Sequence, residues 1–364
     1  MVIGAATEIS AKVSELAELA YRPPSPQYRP PIGLIGCGGI AKHHLEAYRD
    51  FGLNVVAVCD LQAELATELR DRFFPDAQVF TDHHRLLADE SIEVVDVATH
   101  PEPRVGLIQD CLAARRHVLS QKPFVLDLDV GQQLCDMADR QGVRLAVNQN
   151  GRFAPHFSYL RAAVAAGCLG RTQAAHLSVH WDHTWVTGTA FEQIKHLILY
   201  DFAIHWFDIV RCLLPLAQAE SVYATISRVP GQQIMPPLAA SVVIQFDSAQ
   251  ATLSFDALTR FGQQDRTLVI GDRATATSSG PDLQQQSVTI TDAAGSYSPH
   301  LEGKWFSDGF GGTMLELLSA IEADRPAVIE ARDNLESLAL CFAAIESAET
   351  GLPQVPGSTR RLPS

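Results

Sequence analysis

The chain has 364 residues, of which 46% are hydrophobic, and its 42 acidic against 28 basic residues give a formal net charge of -14 at pH 7. This length predicts two domains, each large enough to bury its own core. So negative a chain disfavours nucleic acid and anionic membrane surfaces as partners, and no apolar run is long enough to predict a transmembrane helix.

The first residues predict an arm rather than a domain. Residues 8–20 have the pattern of a short amphipathic helix, and the Pro-rich stretch that follows is expected to be extended. Residues 1–29 are interpreted as a loose arm, with an arm packed on a partner subunit as the alternative. This stretch lacks the pattern of a secretory signal, and seven single cysteines without a CxxC pair favour a reducing compartment. We expect a cytoplasmic protein.

From residue 30 to 150, short β-branched runs alternate with helical segments. This alternation is typical of a parallel sheet that is covered by helices on both faces. The predicted strands are 32–36, 54–60, 93–99, 117–121 and 143–149.

The turn after the first strand, residues 36–41, reads GCGGIA and fits the GxGxxG/A pattern of dinucleotide-binding turns. Its glycines allow a tight turn and let a pyrophosphate approach the amino end of the next helix. Asp60 ends the second strand, where a carboxylate can bind ribose hydroxyls and repel a 2′-phosphate. NAD is therefore favoured over NADP as the cofactor. The predicted phosphate-binding residues are Gly36, Cys37, Gly38, Gly39 and Ile40.

Lys122 follows the fourth of these strands, at the carboxyl edge where open parallel sheets bind ligands. Pro123 restricts Lys122 to an extended backbone, which favours a side chain directed into the crevice. A lysine there can hydrogen-bond a reacting oxygen and stabilise a proton during carbonyl–alcohol interconversion. A solvated surface lysine is the alternative.

A second polar group lies in a predicted helix over residues 195–215. Asp201, His205 and Asp208 are spaced i, i+4, i+7 and would share one helix face. A histidine oriented by a carboxylate one turn away suits a general base that removes a hydroxyl proton. The alternatives are a helix with a solvated stripe and a histidine satisfied inside a core.

Aromatic and imidazole side chains precede this helix. His180, Trp181, His183 and Trp185 are interpreted as walls of a polar pocket for a hydroxyl-rich ring, although core packing explains the tryptophans equally well. No histidine pair has a recognisable metal-ligand spacing, so we predict no catalytic metal.

The second half of the chain predicts an antiparallel sheet followed by two helices. Runs with strand character occupy 172–181, 219–229, 239–247, 251–258, 266–272 and 286–292, and helices are predicted over 313–323 and 331–350. Residues 351–364 are rich in Pro, Gly and Ser and are predicted to be a loose tail.

Together, the Gly-rich turn, the acidic end of the second strand, the Lys-Pro pair and the D-x-x-x-H-x-x-D helix resemble the Gfo/Idh/MocA oxidoreductases over residues 30–350. The resemblance implies an α/β Rossmann domain over 30–150 and an α+β domain with a large, open, mostly antiparallel sheet over 151–350. It also implies a sugar, cyclitol or related polyol as substrate, and a homodimer or homotetramer formed through that sheet.

The same resemblance implies roles for particular residues. Lys122 would be the EKP-type lysine, His205 the proton-transfer histidine and Asp201 its companion near the substrate. Cofactor contacts would come from Thr99, His100, Gln121 and Lys122, and substrate contacts from Lys122, Arg152, His180, Trp181, Asp201 and His205.

The chain departs from the family pattern at three places. Gln121 replaces the usual glutamate, Arg104 stands where a histidine is usual, and Gly151 replaces an aromatic residue. The Gln-Lys-Pro form, together with Asn-x-Arg-Phe at residues 150–153, is similar to sugar dehydrogenases of the family, including its apiose dehydrogenase-like branch.

We therefore predict an NAD-dependent oxidoreductase that transfers a hydride between nicotinamide and a hydroxyl or carbonyl carbon of an aldose or inositol. Two alternatives stay open. One is a glycosidase that uses NAD for transient ring oxidation, and the other is a non-catalytic NAD-binding sensor.

Overall fold

The computed structural model describes residue 16 and residues 19–363, so most of the predicted helix over residues 8–20 lies outside the described residues. The chain divides into two compact units. The parallel-sheet unit comprises Pro23–Phe153 and Trp305–Leu338. The large-sheet unit comprises Ala154–Lys304, the residues from Ala339 onward and the described residues up to Arg22.

Nine α-helices lie within residues 19–363. They are α1 Ala41–Asp50, α2 Ala63–Phe73, α3 His83–Leu87, α4 Pro101–Ala113, α5 Leu128–Gln141, α6 Pro155–Ala165, α7 Ile204–Leu213, α8 Trp305–Glu322 and α9 Ala331–Thr350. Within residue 16 and residues 19–363, none of these helices is both long and apolar enough to cross a membrane.

The parallel sheet has six strands in the order β3-β2-β1-β4-β5-β6. They are β1 Ile32–Ile35, β2 Val55–Cys59, β3 Gln78–Phe80, β4 Val94–Val97, β5 His117–Ser120 and β6 Leu145–Val147. The five predicted strands are confirmed. The edge strand β3 was not predicted, because it has only three residues and none of them is buried.

Helix α8 begins well before its predicted start at residue 313. Three glycines near its start lower the helix propensity, which explains the late prediction. They also allow close packing, since a Cβ on Gly311 would lie 2.2 Å from the Phe51 ring and one on Gly312 would lie 2.6 Å from Phe153. Residues 305–338 therefore pack with the parallel sheet, whereas the sequence placed all of 151–350 in a second domain.

The large sheet has eight strands in the order β14-β13-β12-β11-β7-β10-β9-β8. They are β7 Thr172–His180, β8 Ala219–Ser227, β9 Ala239–Phe246, β10 Gln250–Asp256, β11 Gln264–Gly271, β12 Ala274–Asp282, β13 Gln285–Asp292 and β14 Gly295–Tyr297. The predicted mostly antiparallel sheet is confirmed, with one parallel pair, β7 and β10. Strand β12 was missed because its residues are mainly small and polar and include Gly280 and Pro281.

The arm and the tail pack on the chain itself, so the prediction that both are loose is wrong for their described residues. Tyr28 donates its backbone N–H to Glu322, at 2.9 Å, and its hydroxyl to Glu93, at 2.7 Å. At the other end of the chain, Gln354 exchanges two backbone hydrogen bonds of 2.8 Å with Val222 on β8. The folded part of the chain therefore extends beyond the predicted domain limits of residues 30 and 350.

Asp265 is a fully buried carboxyl group on β11. Neither of its carboxyl oxygens has a hydrogen-bond partner. Burial, assisted by the charge of Asp282, raises the pKa of Asp265 to about 8. The folded chain therefore holds a proton that the unfolded chain releases at the ordinary pKa of 3.8.

We expect Asp265→Asn to raise the Tm at pH 7 and to change it little at pH 4. Because the folded-state pKa is raised, the penalty for burying the charge grows as the pH rises from 3.8 to about 8. At pH 7 it is at most about 4 kcal/mol. Thermal unfolding at several pH values measures the effect, with the exposed Asp247→Asn as control. A gain in Tm that does not increase with pH would contradict the assignment.

Candidate functional site

The Gly-rich turn between β1 and α1 leaves open space above the amino end of the helix. Gly36 has a φ of +97°, and a Cβ there would lie 2.7 Å from Cγ2 of Thr99. Gly38 and Gly39 are exposed, and a Cβ on either would meet no atom within 4 Å. Tight packing at the first glycine and free space at the next two are what a pyrophosphate at a helix amino end requires.

Asp60 lies directly beside this turn. Its Oδ2 accepts a hydrogen bond of 2.7 Å from the backbone N–H of Cys37, and its Oδ1 accepts one of 2.9 Å from Gln62. Burial, with the nearby charge of Asp60, raises the pKa of the Cys37 thiol to about 12. The thiol therefore fills space in the turn as a neutral group, while the carboxylate at the end of β2 stays half-buried beside it.

The loops after β4 and β5 are joined by Arg104. This buried side chain donates to the backbone carbonyls of Thr99 and Pro123. Thr99 itself packs against Gly36, and His100 is exposed at the position that begins α4. The arginine that replaces the usual histidine therefore ties together two loops at the carboxyl edge of the sheet.

Lys122 lies at the carboxyl end of β5, as the sequence predicts. Its side chain is half-buried, and its backbone N–H donates to Oε1 of Gln121 at 2.6 Å. The peptide bond between Lys122 and Pro123 is cis. The backbone of the lysine is thus held on one side by Gln121 and on the other, through the Pro123 carbonyl, by Arg104.

A buried polar network lies behind Gln121. Asp96 on β4 accepts from Tyr48 and pairs with Nδ1 of His44, both at 2.6 Å. Nε2 of His44 lies 3.0 Å from Nε2 of Gln121 and 3.3 Å from Nδ2 of Asn148. This network was not predicted from the sequence. The sequence feature that could have indicated it is Asp96, an aspartate inside an otherwise apolar strand, because a buried carboxylate requires hydrogen-bond partners.

Arg152 is engaged within the parallel-sheet unit. It is buried, forms an ion pair of 2.7 Å with Asp333 and donates to the backbone carbonyl of Val328. These contacts hold the turn at residues 150–153 to the segment before α9. The substrate contact that the sequence assigned to Arg152 stays a prediction.

In the large-sheet unit, the predicted helix over residues 195–215 contains a π-helical turn at Ile198–Phe202, followed by α7. Asp201 lies in the wider turn and is buried, whereas His205 is half-buried at the start of α7 and Asp208 is buried one turn later. The single regular helix face that the spacing predicted is therefore interrupted. Such wider turns occur frequently at functional sites, because they redirect individual side chains.

Aromatic rings from the segment after β7 pack on this turn and on α7. The ring of His183 lies 4.5 Å from that of Phe202 and stacks on Trp181 at 5.1 Å, and Trp181 lies 5.8 Å from Trp206. Burial lowers the pKa of His183 to about 4, against the opposing charges of Asp182 and Asp201. His183 thus contacts Phe202, which directly follows Asp201 in the chain, and Trp181 contacts Trp206, which directly follows His205.

His180 is not brought to this cluster. Trp206 packs on Phe255, whose partner in the register is Val179, so the cluster lies on the Val179 face of the sheet. Side chains alternate along a strand, and His180 therefore points to the opposite face. The substrate contact that the sequence assigned to His180 has no support from this placement.

One cluster of potential metal ligands occurs among residue 16 and residues 19–363. Donor atoms of Asp82, His83 and His84 lie within 4.8 Å of one another. Asp82 already accepts from the backbone N–H of His84 at the start of α3, and His83 bonds to Asp110 at 2.9 Å. These contacts account for the cluster as part of the fold.

Residues 31–149 match the model of an oxidoreductase family with an NAD-binding Rossmann fold, and residues 157–277 match the GFO/IDH/MocA C-terminal domain. The chain is 26% identical to D-apiose dehydrogenase of Paraburkholderia graminis over 87% of each chain. It is also 26% identical to inositol 2-dehydrogenase of Rubrobacter xylanophilus, over 89% of this chain and 92% of the relative.

Solved structures share the fold. An oxidoreductase from Agrobacterium radiobacter, in complex with NAD+, L-tartaric acid and magnesium, superposes with a TM-score of 0.80 at 21% identity. The superposition covers 91% of this chain and 99% of the other.

Two glycine substitutions should separate folding from nucleotide binding. We expect Gly36→Ala to lower the Tm and abolish binding, because its Cβ would meet Thr99 at a φ of +97°. Gly38→Ala should keep the Tm and still weaken NADH binding, since its Cβ would fill the free space of the turn. Thermal unfolding and NADH fluorescence titration measure the two effects. Unchanged NADH affinity in Gly38→Ala would count against a phosphate site at this turn.

Proposed function

The chain belongs to the Gfo/Idh/MocA oxidoreductase family, and from this premise we propose that it is an NAD-dependent dehydrogenase acting on a CH–OH group of a sugar or cyclitol. The observation that carries the proposal is the half-buried Lys122, which is held at the carboxyl end of β5 in the same sheet as the Gly-rich turn. In open α/β sheets this edge binds cofactor and substrate.

The cofactor assignment depends on the ribose end of the nucleotide. Asp60 would accept hydrogen bonds from the adenosine ribose hydroxyls, and its charge would repel a 2′-phosphate. Residues 61–63 provide no arginine or lysine to hold such a phosphate. These features support NAD rather than NADP, with Thr99, His100 and Gln121 as further candidate contacts.

The proposed chemistry assigns one task to each polar group. Bound NAD supplies the nicotinamide carbon that accepts the hydride. Lys122 hydrogen-bonds the reacting oxygen and stabilises the negative charge that develops on it. His205 removes the hydroxyl proton, and Asp201 orients the imidazole and stabilises its charged form.

The substrate class is proposed from the aromatic cluster of the large-sheet unit. Trp181 and His183 offer flat faces and ring nitrogens beside the π-helical turn, and such surfaces suit a hydroxyl-rich ring. The net charge of -14 favours a neutral polyol over a strongly anionic substrate. The relatives named as apiose and inositol dehydrogenases support the same class.

A panel of aldoses, ketoses and inositols, assayed with NAD and with NADP, tests the proposal. We expect NADH formation with at least one member of the panel and a lower rate with NADP. In the Lys122→Ala variant, kcat should fall by roughly 10²–10⁴ and NADH affinity by much less, because the main contact of the lysine is with the reacting oxygen. The exposed Lys304→Ala is the matched control and should keep full activity.

Each contrary outcome of the panel identifies a different error. Near-full turnover of Lys122→Ala would remove the lysine from the mechanism. Activity with NADP alone would overturn the argument from Asp60. Glycoside cleavage without net NADH would indicate the glycosidase, and NADH binding without turnover of any polyol would indicate the sensor.

We also propose a homodimer or homotetramer that forms through the open face of the large sheet, in a reducing compartment such as the cytoplasm. Tyr223 and Val243 face each other on that side of the sheet and are 42% and 47% exposed. Their row continues across the sheet through Thr252 and His176, which are hydrogen-bonded at 2.8 Å. All seven cysteines are free thiols and most are buried, which supports the compartment.

We expect the purified chain to be a dimer or tetramer and Val243→Asp to dissociate it, because the substitution places a charge in the centre of the proposed interface. Light scattering coupled to gel filtration measures the mass of each species. Leu216→Asp, at a position that is 78% exposed and outside the strands, is the control. A monomeric wild-type chain would rule out the interface.

A further inference from the structure

The polar network behind Lys122 contains one histidine whose protonation state follows from geometry. Oε1 of Gln121 accepts the backbone N–H of Lys122, so the amide nitrogen of Gln121 is the atom that faces His44. An amide nitrogen can only donate a hydrogen bond. Nε2 of His44, at 3.0 Å, must therefore carry a lone pair and accept.

The other ring nitrogen of His44 carries the proton. Nδ1 lies 2.6 Å from Oδ2 of Asp96, and a carboxylate in that contact accepts from an N–H. Tyr48 donates its hydroxyl to the same oxygen. Both His44 and Asp96 are completely buried, so water does not compete for these bonds. The ring is neutral, with its proton on Nδ1.

We propose that His44 is a positioning residue for Lys122. Held by Asp96 in the Nδ1–H form, it accepts from the Gln121 amide and turns the amide oxygen toward the backbone of the lysine. This inference rests on the proposed role of Lys122 in the reaction. His44 touches neither the reacting atoms nor the lysine side chain, and of its contacts Gln121 is the one that leads to the lysine backbone.

The replacement of the usual glutamate by Gln121 is matched to this state of His44. A glutamate at position 121 could not donate, so the ring would have to donate from Nε2 as well as from Nδ1. The imidazole would then be charged and would lie between two carboxylates. A neutral ring with one lone pair is therefore the form that fits glutamine, and the pair His44 and Gln121 forms one hydrogen-bonded unit.

The first test observes the ring directly and does not depend on activity. Nitrogen-15 NMR of histidine-labelled protein, with the His44 signals assigned by their loss in His44→Asn, should show a protonated Nδ1 and a bare Nε2 in the wild type. In Gln121→Glu both nitrogens should be protonated at neutral pH. A wild-type ring that is protonated on Nε2 would overturn the proposal, whatever the enzyme's substrate proves to be.

The second test is a pair of substitutions at His44, one that keeps the hydrogen bond to Asp96 and one that keeps the hydrogen bond to Gln121. His44→Asn can donate to Asp96 but is too short to accept from Gln121, whereas His44→Gln extends an oxygen toward Gln121. We expect His44→Asn to lower kcat about 10- to 100-fold, with His44→Gln recovering most of the loss and NADH affinity unchanged in both. His83→Asn, a half-buried histidine of the same unit, is the control.

A double-mutant cycle with Lys122→Ala separates positioning from a general structural effect. If His44 acts through the lysine, His44→Asn should have no further effect on kcat in the Lys122→Ala background. Losses that multiply in the double variant would show that His44 acts independently of the lysine and would overturn the proposal. If the wild type turns over no polyol, the proposed function is wrong. The NMR experiment still tests the protonation state of His44, because it does not depend on activity.

Discussion

The carboxylate of Asp96 is buried within an apolar strand, and the arrangement of its surroundings follows from the need to satisfy it. An unpaired charge in that position would cost several kcal/mol. His44 and Tyr48, one turn apart on α1, both bond to Oδ2 of Asp96 and so fix that helix against β4. The amino end of α1 is thereby directed to the Gly-rich turn, and the loop after β5 is fixed through Gln121. A charge in the core thus determines the geometry of the candidate site.

Sequence patterns were sufficient where burial produces a regular signal. The central parallel strands are continuous apolar runs, and most strands of the large sheet alternate, so both classes were predicted within a few residues. Prediction failed where local composition and tertiary packing disagree. Strand β12 is polar, and the glycines of α8 are poor helix formers that the fold uses for contact with Phe51 and Phe153.

The residues of the candidate site also fall into those that a local sequence pattern identifies and those that only tertiary packing brings together. Asp60 and Lys122 could be identified because a strand end beside a turn is a local feature of the sequence. His44 and Asp96 are 52 positions apart, and His44 and Gln121 are 77 apart, so no spacing rule relates them. The π-helical turn at Asp201 was not predicted either, because residues 197–207 are apolar at nearly every position and a change of helix face leaves no visible break in such a run.

The parallel-sheet unit is built from two separated stretches of chain, and this has a consequence during synthesis. While the ribosome is adding residues 154–304, helix α8 does not yet exist, although the whole Gly-rich motif has already been made. At translation rates of about 5–20 residues per second this interval lasts on the order of ten seconds. During it, the ring of Phe310 is absent from its place 4.6 Å from His44, and Thr313 is absent from Asn148. The nascent chain therefore carries a complete nucleotide motif on an incomplete core until α8 has been made.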